Sequence, residues 1–161
     1  MFMKMNNMIN NFSVVIPVFN EEEIFLESAN RLFKICKDIN MPYEIIFSEN
    51  VSLDNTKNLI HAFIEDKDNC FTINSNYANY GLALKNGFEI AKNDVVISFD
   101  IDYFSKKFLK QSLELDDNFV ALVASKRLNE SEDKSTFMRK MATSAFVLFL
   151  KLFFKTSLSD T

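Results

Sequence analysis

A compact apolar run, Val95 to Phe99, ends in two carboxylates spaced as Asp-x-Asp, Asp100 and Asp102. An apolar run of this length bounded by polar residues is typical of a buried strand. Residues i and i+2 of an extended chain point the same way, so both carboxylates are expected just beyond the strand's carboxyl end. Ligands of open α/β sheets bind at that edge, and a hard divalent cation carrying a phosphate commonly neutralises paired carboxylates there. Taken alone, the pair also fits a solvated strand exit, since Asp is common in turns.

Strands and helices alternate along the chain. Its β-branched and apolar runs predict five strands, which fall at residues 12–18, 43–47, 70–73, 95–99 and 119–124. The spacing of apolar residues predicts helices at about 21–38, around 59–64, at 82–92 and at 105–115. This order predicts right-handed βαβ units and a three-layer α/β/α sandwich with a mainly parallel, Rossmann-like sheet, whose short third strand lies near an edge.

The helices carry local signals of where they begin and which side faces the sheet. Asn20 is expected to cap the first helix, with the glutamates at 21–23 in its first turn, where negative charge suits the helix dipole. The residues predicted to face inward in the third helix are Leu84, Phe88 and Ala91.

The polar turns that follow the strands are predicted to share one edge of the sheet. They lie at residues 17–21, 48–54, 100–105 and 125–127, and the first three carry acids. Neither GxGxxG after the first strand nor GxxxxGK followed by Ser or Thr occurs, which argues against a nicotinamide site and a P-loop. A phospho-receiver domain also places carboxylates and a lysine at this edge, and Lys126 superficially fits that role. Its acidic pair, however, would follow the first strand rather than the fourth.

Composition and isolated residues exclude several other classes of function. A chain of 161 residues can form one domain with a core, and a net charge of −4 gives no reason to expect a nucleic-acid partner. Cys36 and Cys70 fit no zinc pattern and are interpreted as reduced, buried thiols of a cytosolic protein. The only histidine, His61, has no companion for a hydrolase triad. Residues 1–11 do not resemble a signal peptide, and no uncharged apolar stretch reaches the roughly 18 residues of a membrane-spanning helix.

Five collinear blocks carry a resemblance to known proteins. The block at residues 12–22, FSVVIPVFNEE, matches the pattern P-x-Y/F-N-E, and the block at 43–56, YEIIFSENVSLDNT, matches YEIIxVDDGSxDxT. The block at 79–87, NYGLALKNG, matches N-x-G-x-x-AL-x-x-G. NDVVISFDID at 93–102 matches GDxVxxxDAD, and ASKR at 124–127 matches GSR. Together the blocks resemble the family 2 glycosyltransferases, and most closely their dolichol- or polyprenyl-phosphate mannose and glucose synthases.

This resemblance implies a GT-A fold and an inverting transfer from a nucleotide-diphospho-sugar. Asp100 and Asp102 would hold Mg²⁺ or Mn²⁺ against the pyrophosphate, and the metal and Arg127 would neutralise charge on the departing nucleoside diphosphate. No protein base is implied, because an acceptor phosphate is already an anion. The implied donor-binding residues are Pro17, Phe19, Glu21, Ser48, Glu49, Asn50, Asp100 and Arg127.

The chain departs from the family pattern at four places near this site, one of which is Ser105-Lys106-Lys107, where the family has His-Pro-Pro. Glu49 and Asn50 stand where two aspartates are usual. Val51 replaces the turn glycine, and since valine disfavours positive φ, the turn must change shape or carry strain. Phe104 stands where the synthases often have Gln or Ser near the metal. These departures imply altered donor choice, weak metal binding or lost activity.

The C-terminal residues predict a second, smaller region. Residues 136–155 form a Phe-rich run with basic edges, which predicts an amphipathic helix at a membrane interface, as in the resembled synthases. Packing on the sheet or on a partner chain is the alternative. The chain stops at Thr161 inside a stretch similar to S-D-T-Q-C-G-F, so the C-terminal part of the family domain is expected to be missing. The expected domains are an extension at 1–11, a nucleotide-sugar-binding domain at 12–130, and this helix with a truncated acceptor region at 131–161.

Three functions remain as hypotheses from the sequence, and the third of them is an unrelated α/β interaction domain. The first is a metal-dependent glycosyltransferase that uses a nucleotide-diphospho-sugar and a polyprenyl phosphate or other cell-envelope glycan acceptor. Such an enzyme would lie in the cytoplasm, peripheral to the inner face of the membrane. The second is a non-catalytic module of the same fold that binds sugar nucleotides or supports an assembly.

Overall fold

The computed structural model describes residues 9–93 and 95–114. The predicted strand at 119–124, the helix at 136–155 and Arg127 lie outside these residues. The elements in chain order are β1 Phe12–Val18, α1 Phe25–Lys37, β2 Tyr43–Glu49, α2 Thr56–Ile64, β3 Cys70–Asn74, α3 Tyr80–Ile90, β4 Val95–Ser98 and α4 Lys106–Leu113.

The strands form one parallel sheet in the order β3-β2-β1-β4. Every residue of β1 is buried, because this strand pairs on both sides and is covered on both faces. Pro17 fits near its end: β4 pairs with β1 only as far as Val15, so the missing N–H of Pro17 costs no bond to β4. Among the described strands β3 lies at an edge, as predicted.

Alternate residues of the central strands face different helices. Phe12, Val14 and Ile16 belong to the core cluster that includes Phe25 and Leu32 of α1. Rings from α1, β2 and α2 meet edge to face in this layer, with Phe25 5.2 Å from Phe47 and 6.0 Å from Phe63 between ring centroids. Each such pair contributes about 0.5–1.5 kcal/mol beyond the area that it buries.

The opposite face of the sheet is covered by α3, and small residues make that contact. Ala83 and Gly87 are buried, whereas Phe88 is 46% exposed, so the predicted inward face of this helix is wrong. A Cβ placed on Gly87 would lie 2.3 Å from Cγ1 of Val15, which shows how closely the helix backbone approaches β1. Close packing thus selects the small side chains.

A buried carboxylate on the same face links three segments at the amino edge of the sheet. Oε1 of Glu44 accepts hydrogen bonds from the hydroxyl of Ser13 at 2.6 Å and from the backbone N–H of Lys92 at 2.7 Å. The side-chain amide of Asn93 donates to the carbonyl oxygen of Phe12 at 2.8 Å. These bonds fix where β4 begins, and therefore where Asp100 and Asp102 emerge.

The boundaries differ from the sequence prediction where long-range contacts intervene. Asn20 does not cap α1: it adopts φ 54°, and its side-chain oxygen accepts the N–H of Leu53 at 2.7 Å. The glutamates at 21–23 consequently lie before α1 rather than in its first turn. At α3 the cap is Asn79, whose side chain accepts the N–H of Leu82 at 2.9 Å, so the helix begins two residues earlier than predicted.

Both cysteines are free and buried, which confirms the interpretation of their side chains. Burial raises the pKa of Cys36 to about 12 and that of Cys70 to about 11, so both are protonated at neutral pH. Among the described residues, no helix has the length and apolar character needed to cross a membrane.

Candidate functional site

The Asp-x-Asp segment leaves β4 with its two carboxylates turned to solvent. Asp100 and Asp102 are exposed, while Ile101 between them is 2% exposed and belongs to the core cluster. The backbone is fixed on both sides of this point. The N–H of Phe99 donates to the carbonyl oxygen of Val15 at 3.2 Å, and the N–H of Tyr103 donates to that of Asp100 at 3.1 Å. The pair is therefore presented on an ordered turn.

Acids from three loops meet at this edge. Glu21 follows β1, and it lies close enough to Asp54, which follows β2, and to the Asp-x-Asp pair for their charges to act on it. Partial burial raises the pKa of Glu21, and the charges of Asp102, Asp54 and Asp100 raise it further, in that order. The carboxyl edge of the sheet therefore carries a concentrated negative potential that a bound cation would relieve.

The loops after β1 and β2 are held together by hydrogen bonds. The N–H of Glu21 donates to Oγ1 of Thr56 at 2.8 Å, and the N–H of Glu22 donates to Asp54 at 3.2 Å. A side-chain oxygen of Glu22 accepts in return from the N–H of Asn55 at 2.7 Å. These bonds fix the position of Glu21 relative to the second loop. Beside it, Phe19 is exposed and Pro17 is buried in β1.

Three of the predicted donor-binding residues are buried and hydrogen-bonded inside the protein. The Ser48 hydroxyl donates to the carbonyl oxygen of Ala83 at 2.7 Å, and Oε1 of Glu49 accepts the N–H of Ser52 at 2.5 Å. Oδ1 of Asn50 accepts the N–H of Asn79 at 2.7 Å. In this arrangement Ser48, Glu49 and Asn50 hold the turn and α3 in place around the exposed acids.

Val51 adopts φ 63°, the left-handed conformation that glycine takes readily and valine disfavours. The turn therefore keeps a glycine-like backbone and carries strain. For an L-residue this conformation costs about 1–2 kcal/mol, and branching at Cβ makes it less favourable still.

Replacing Val51 with glycine should stabilise the fold. We expect the free energy of unfolding to rise by about 1 kcal/mol, because relief of strain outweighs the greater flexibility of glycine in the unfolded chain. Thermal unfolding followed by circular dichroism would detect a midpoint roughly 2–4 °C higher. Val96→Gly is the matched control, since Val96 lies in β4 with an ordinary φ and should lose stability. If Val51→Gly lost as much unfolding free energy as the control, the inference that Val51 is strained would be wrong.

Of two aromatic residues near the acids, one hydrogen-bonds to Asp100 and the other packs against the core. The Tyr80 hydroxyl donates to Oδ1 of Asp100 at 3.0 Å, and burial together with Asp100 raises the Tyr80 pKa to about 12. No sequence pattern predicts this contact, although the N-x-G block contains the tyrosine. Phe104 instead packs against the core, 6.4 Å from Phe99 between ring centroids, with the Arg31 guanidinium 4.3 Å above its ring.

The candidate metal ligands of this edge, within the part of the chain that the structure describes, are its carboxylates. Within residues 9–93 and 95–114, no group of three or more His, Cys, Asp or Glu side chains is arranged to hold a metal ion. A cation at Asp100 and Asp102 would thus need further ligands from a bound molecule or water. Arg127 lies outside the described residues.

Parallel strands, helices on both faces and an Asp-x-Asp exit define an α/β domain of the GT-A kind with an acidic site at the carboxyl edge of its sheet. A family model described as "Glycosyl transferase family 2" matches residues 13–159. The chain therefore belongs to glycosyl transferase family 2, as the five sequence blocks predict.

One similar relative is the undecaprenyl-phosphate 4-deoxy-4-formamido-L-arabinose transferase of Proteus mirabilis (strain HI4320). The identity is 37% over 97 residues, which cover 58% of this chain and 29% of the relative. The chain thus spans less than a third of the length of this curated relative. By its name, that protein acts on undecaprenyl phosphate.

Two similar solved structures support the fold. One is S. aureus TarS 1-349 in complex with UDP, with a TM-score of 0.53 and 24% identity over 63% of this chain and 30% of the other. The second is the mannosyltransferase PcManGT from Pyrobaculum calidifontis in complex with GDP-Man and Mn²⁺. Its TM-score is 0.52, at 16% identity over 66% of this chain and 34% of the other. At these identities the likeness concerns the fold alone, and it confirms the predicted GT-A architecture.

Proposed function

We propose that this chain transfers a sugar, with inversion, from a nucleotide-diphospho-sugar to a polyprenyl phosphate or another cell-envelope glycan acceptor, with Mg²⁺ or Mn²⁺ as cofactor. The single observation that carries the proposal is the exposed Asp100–Asp102 pair at the carboxyl edge of the sheet of a family 2 member. The domains proposed for these tasks are residues 12–130 for the donor, and 131–161 for the acceptor and the membrane surface.

The acidic edge suits a divalent cation that carries a diphosphate. Asp100 and Asp102 are exposed and supply hard oxygen ligands, and Mg²⁺ commonly binds one or two carboxylates and completes its shell with phosphate oxygens and water. Partial burial is the main cause that raises the pKa of Glu21, and the charges of Asp102, Asp54 and Asp100 raise it further; these charges favour a cation there. Once bound, the metal would supply charge neutralisation for the departing nucleoside diphosphate.

The chain's own residues would position the donor around that point. Phe19 is exposed next to Glu21 and offers a ring for the base or ribose, while buried Pro17 sets the end of β1. Ser48, Glu49 and Asn50 would act through the turn that they hold. Arg127 would add positive charge at the diphosphate.

The acceptor proposal is supported by the relative that is named for undecaprenyl phosphate. A phosphate acceptor carries its own negative charge, so transfer to it needs no protein base to remove a proton. Because such an acceptor is a membrane lipid, the site of action would be peripheral, at the inner membrane face, with residues 136–155 as the contact. A homo-oligomer or a partner chain is compatible with this arrangement.

The packing of Phe104 favours a second candidate function. Phe104 stands where the resembled synthases often carry a polar residue near the metal, and here it packs between the core and Arg31. A site with fewer polar groups would bind a sugar nucleotide more weakly or without turnover. The second candidate is therefore a non-catalytic sugar-nucleotide-binding module.

Calorimetry and a transfer assay separate these candidates. The full chain would be titrated with UDP, GDP and CDP, each with and without Mn²⁺, and then assayed with nucleotide sugars and undecaprenyl phosphate in detergent. Metal-dependent binding together with transfer supports the enzyme, whereas binding without transfer supports the module. If no nucleotide bound, with or without Mn²⁺, both candidate functions would be contradicted.

A further inference from the structure

We propose that Tyr80 is a positioning residue that orients the Asp100 carboxylate for the cation, an inference that rests on the proposed function. Its hydroxyl donates to Oδ1 of Asp100 at 3.0 Å, across 20 positions of sequence. This bond engages one oxygen of the carboxylate and leaves Oδ2 for a cation. A ligand held in one orientation loses less conformational freedom when the metal binds.

Tyr80 is suited to this role because its own position is fixed by contacts with the protein interior. It is the first residue of α3, next to the capping residue Asn79. The N–H of Asn79 donates to Oδ1 of Asn50 at 2.7 Å. Asn50 directly follows β2 and is buried. A continuous path of hydrogen bonds and backbone therefore leads from a buried side chain to the exposed acid.

The backbone of Asp100 is fixed independently of the tyrosine. Its carbonyl oxygen accepts the N–H of Tyr103 at 3.1 Å, and Ile101 anchors the segment in the core. What remains to be set is the rotation of the Asp100 side chain in solvent. Tyr80 acts on that rotation, so its loss should change metal affinity and leave the fold intact.

Tyr80→Phe tests this inference, because it removes the hydroxyl and keeps the ring. Mn²⁺ binding to the full chain would be followed by electron paramagnetic resonance of free Mn²⁺, with the metal alone and with UDP. We expect about 10-fold weaker Mn²⁺ binding, since loss of a partner to a metal ligand typically costs 10- to 100-fold. The thermal midpoint and the metal-free affinity for UDP should not change.

Tyr77→Phe is the matched control. Tyr77 lies three residues earlier in the same segment and is 60% exposed, against 55% for Tyr80. This variant should bind Mn²⁺ like the wild type.

The possible results distinguish the inference from the function on which it rests. Unchanged Mn²⁺ affinity in Tyr80→Phe would overturn the positioning role, and so would tighter binding, which would mean that the hydroxyl competes with the metal. An equal loss in Tyr77→Phe would also overturn it. If the wild-type chain binds no Mn²⁺ with or without UDP, the metal-dependent function fails, and the role of Tyr80 fails with it.

Discussion

Replacing Asp102 with alanine is expected to abolish the metal-dependent part of nucleoside diphosphate binding. We expect the Mn²⁺ affinity to fall by more than about 100-fold. Even the loss of a residue that only hydrogen-bonds to a metal ligand costs about 10- to 100-fold in affinity, and Asp102 is proposed as a ligand itself. The side chain of Asp102 is exposed, so its removal should leave folding unaffected. Calorimetric titration with UDP or GDP, with and without Mn²⁺, measures the difference.

Asp68→Ala is the matched control for this prediction. Asp68 is also exposed, but it precedes β3 and so lies at the amino edge of the parallel sheet, opposite the candidate site. The control removes the same charge from the chain. If both variants lost metal-dependent binding equally, the effect would come from net charge, and Asp102 would not be a ligand.

A second measurement tests the acidic cluster without any metal. Asp102 is the largest of the three charge effects that raise the pKa of Glu21. Removal of its charge should therefore move the Glu21 pKa down toward its ordinary value, since less repulsion opposes ionisation. A pH titration of the Glu21 carboxyl carbon by NMR would show the shift, and Asp68→Ala should show none.

The sheet could be predicted from the sequence because its signals are local. β1 was placed correctly at Phe12–Val18, since a β-branched run bounded by polar residues is a strand signal in itself. The apolar run before Asp100 likewise predicted β4, which ends one residue sooner than expected. Alternating strands and helices imply parallel pairing, and the four strands within residues 9–114 all pair in parallel.

The errors arose where a residue's role depends on distant contacts. Asn20 resembled a helix cap, but its side chain accepts from Leu53, 33 positions later, and its left-handed backbone delays the helix. In α3, apolar periodicity favoured Phe88 over Gly87, yet only a glycine permits the approach to Val15. No local pattern contains these contacts, so sequence periodicity could not predict them.

The positions of the acids in the candidate site could be predicted from the sequence, but the contacts that hold the surrounding residues in place could not. The apolar run at 95–99 together with the Asp-x-Asp spacing predicts both acids at the carboxyl edge, and both are exposed there, although they lie on a turn rather than in extended chain. The hydrogen bond from Tyr80 joins the start of α3 to the turn after β4, and nothing in the segment around Tyr80 signals it. The burial of Glu49 and Asn50 likewise depends on how the turn folds against α3.

Replacing Gly87 with alanine should be strongly destabilising. The new Cβ would lie 2.3 Å from Cγ1 of Val15, which is fully buried in the central strand. Val15 cannot turn away easily, because a β-branched side chain has few rotamers and its neighbours are close-packed. In an open helix the change would gain about 0.5–1 kcal/mol. Overpacking costs about 1–3 kcal/mol and should dominate, so the midpoint of thermal unfolding should fall.

Gly81→Ala and a double mutant show whether the contact with Val15 is the cause. A Cβ on Gly81, in the same helix, would meet only Oδ1 of Asn79 at 3.4 Å, so that variant should be neutral or slightly stabilised. Val15→Ala alone should destabilise by leaving a cavity, but combined with Gly87→Ala it frees the space that the new methyl needs. The two changes should therefore cost less together than the sum of their separate effects. Strict additivity would show that α3 shifts away from β1 on its own and that Gly87 is not required for the contact.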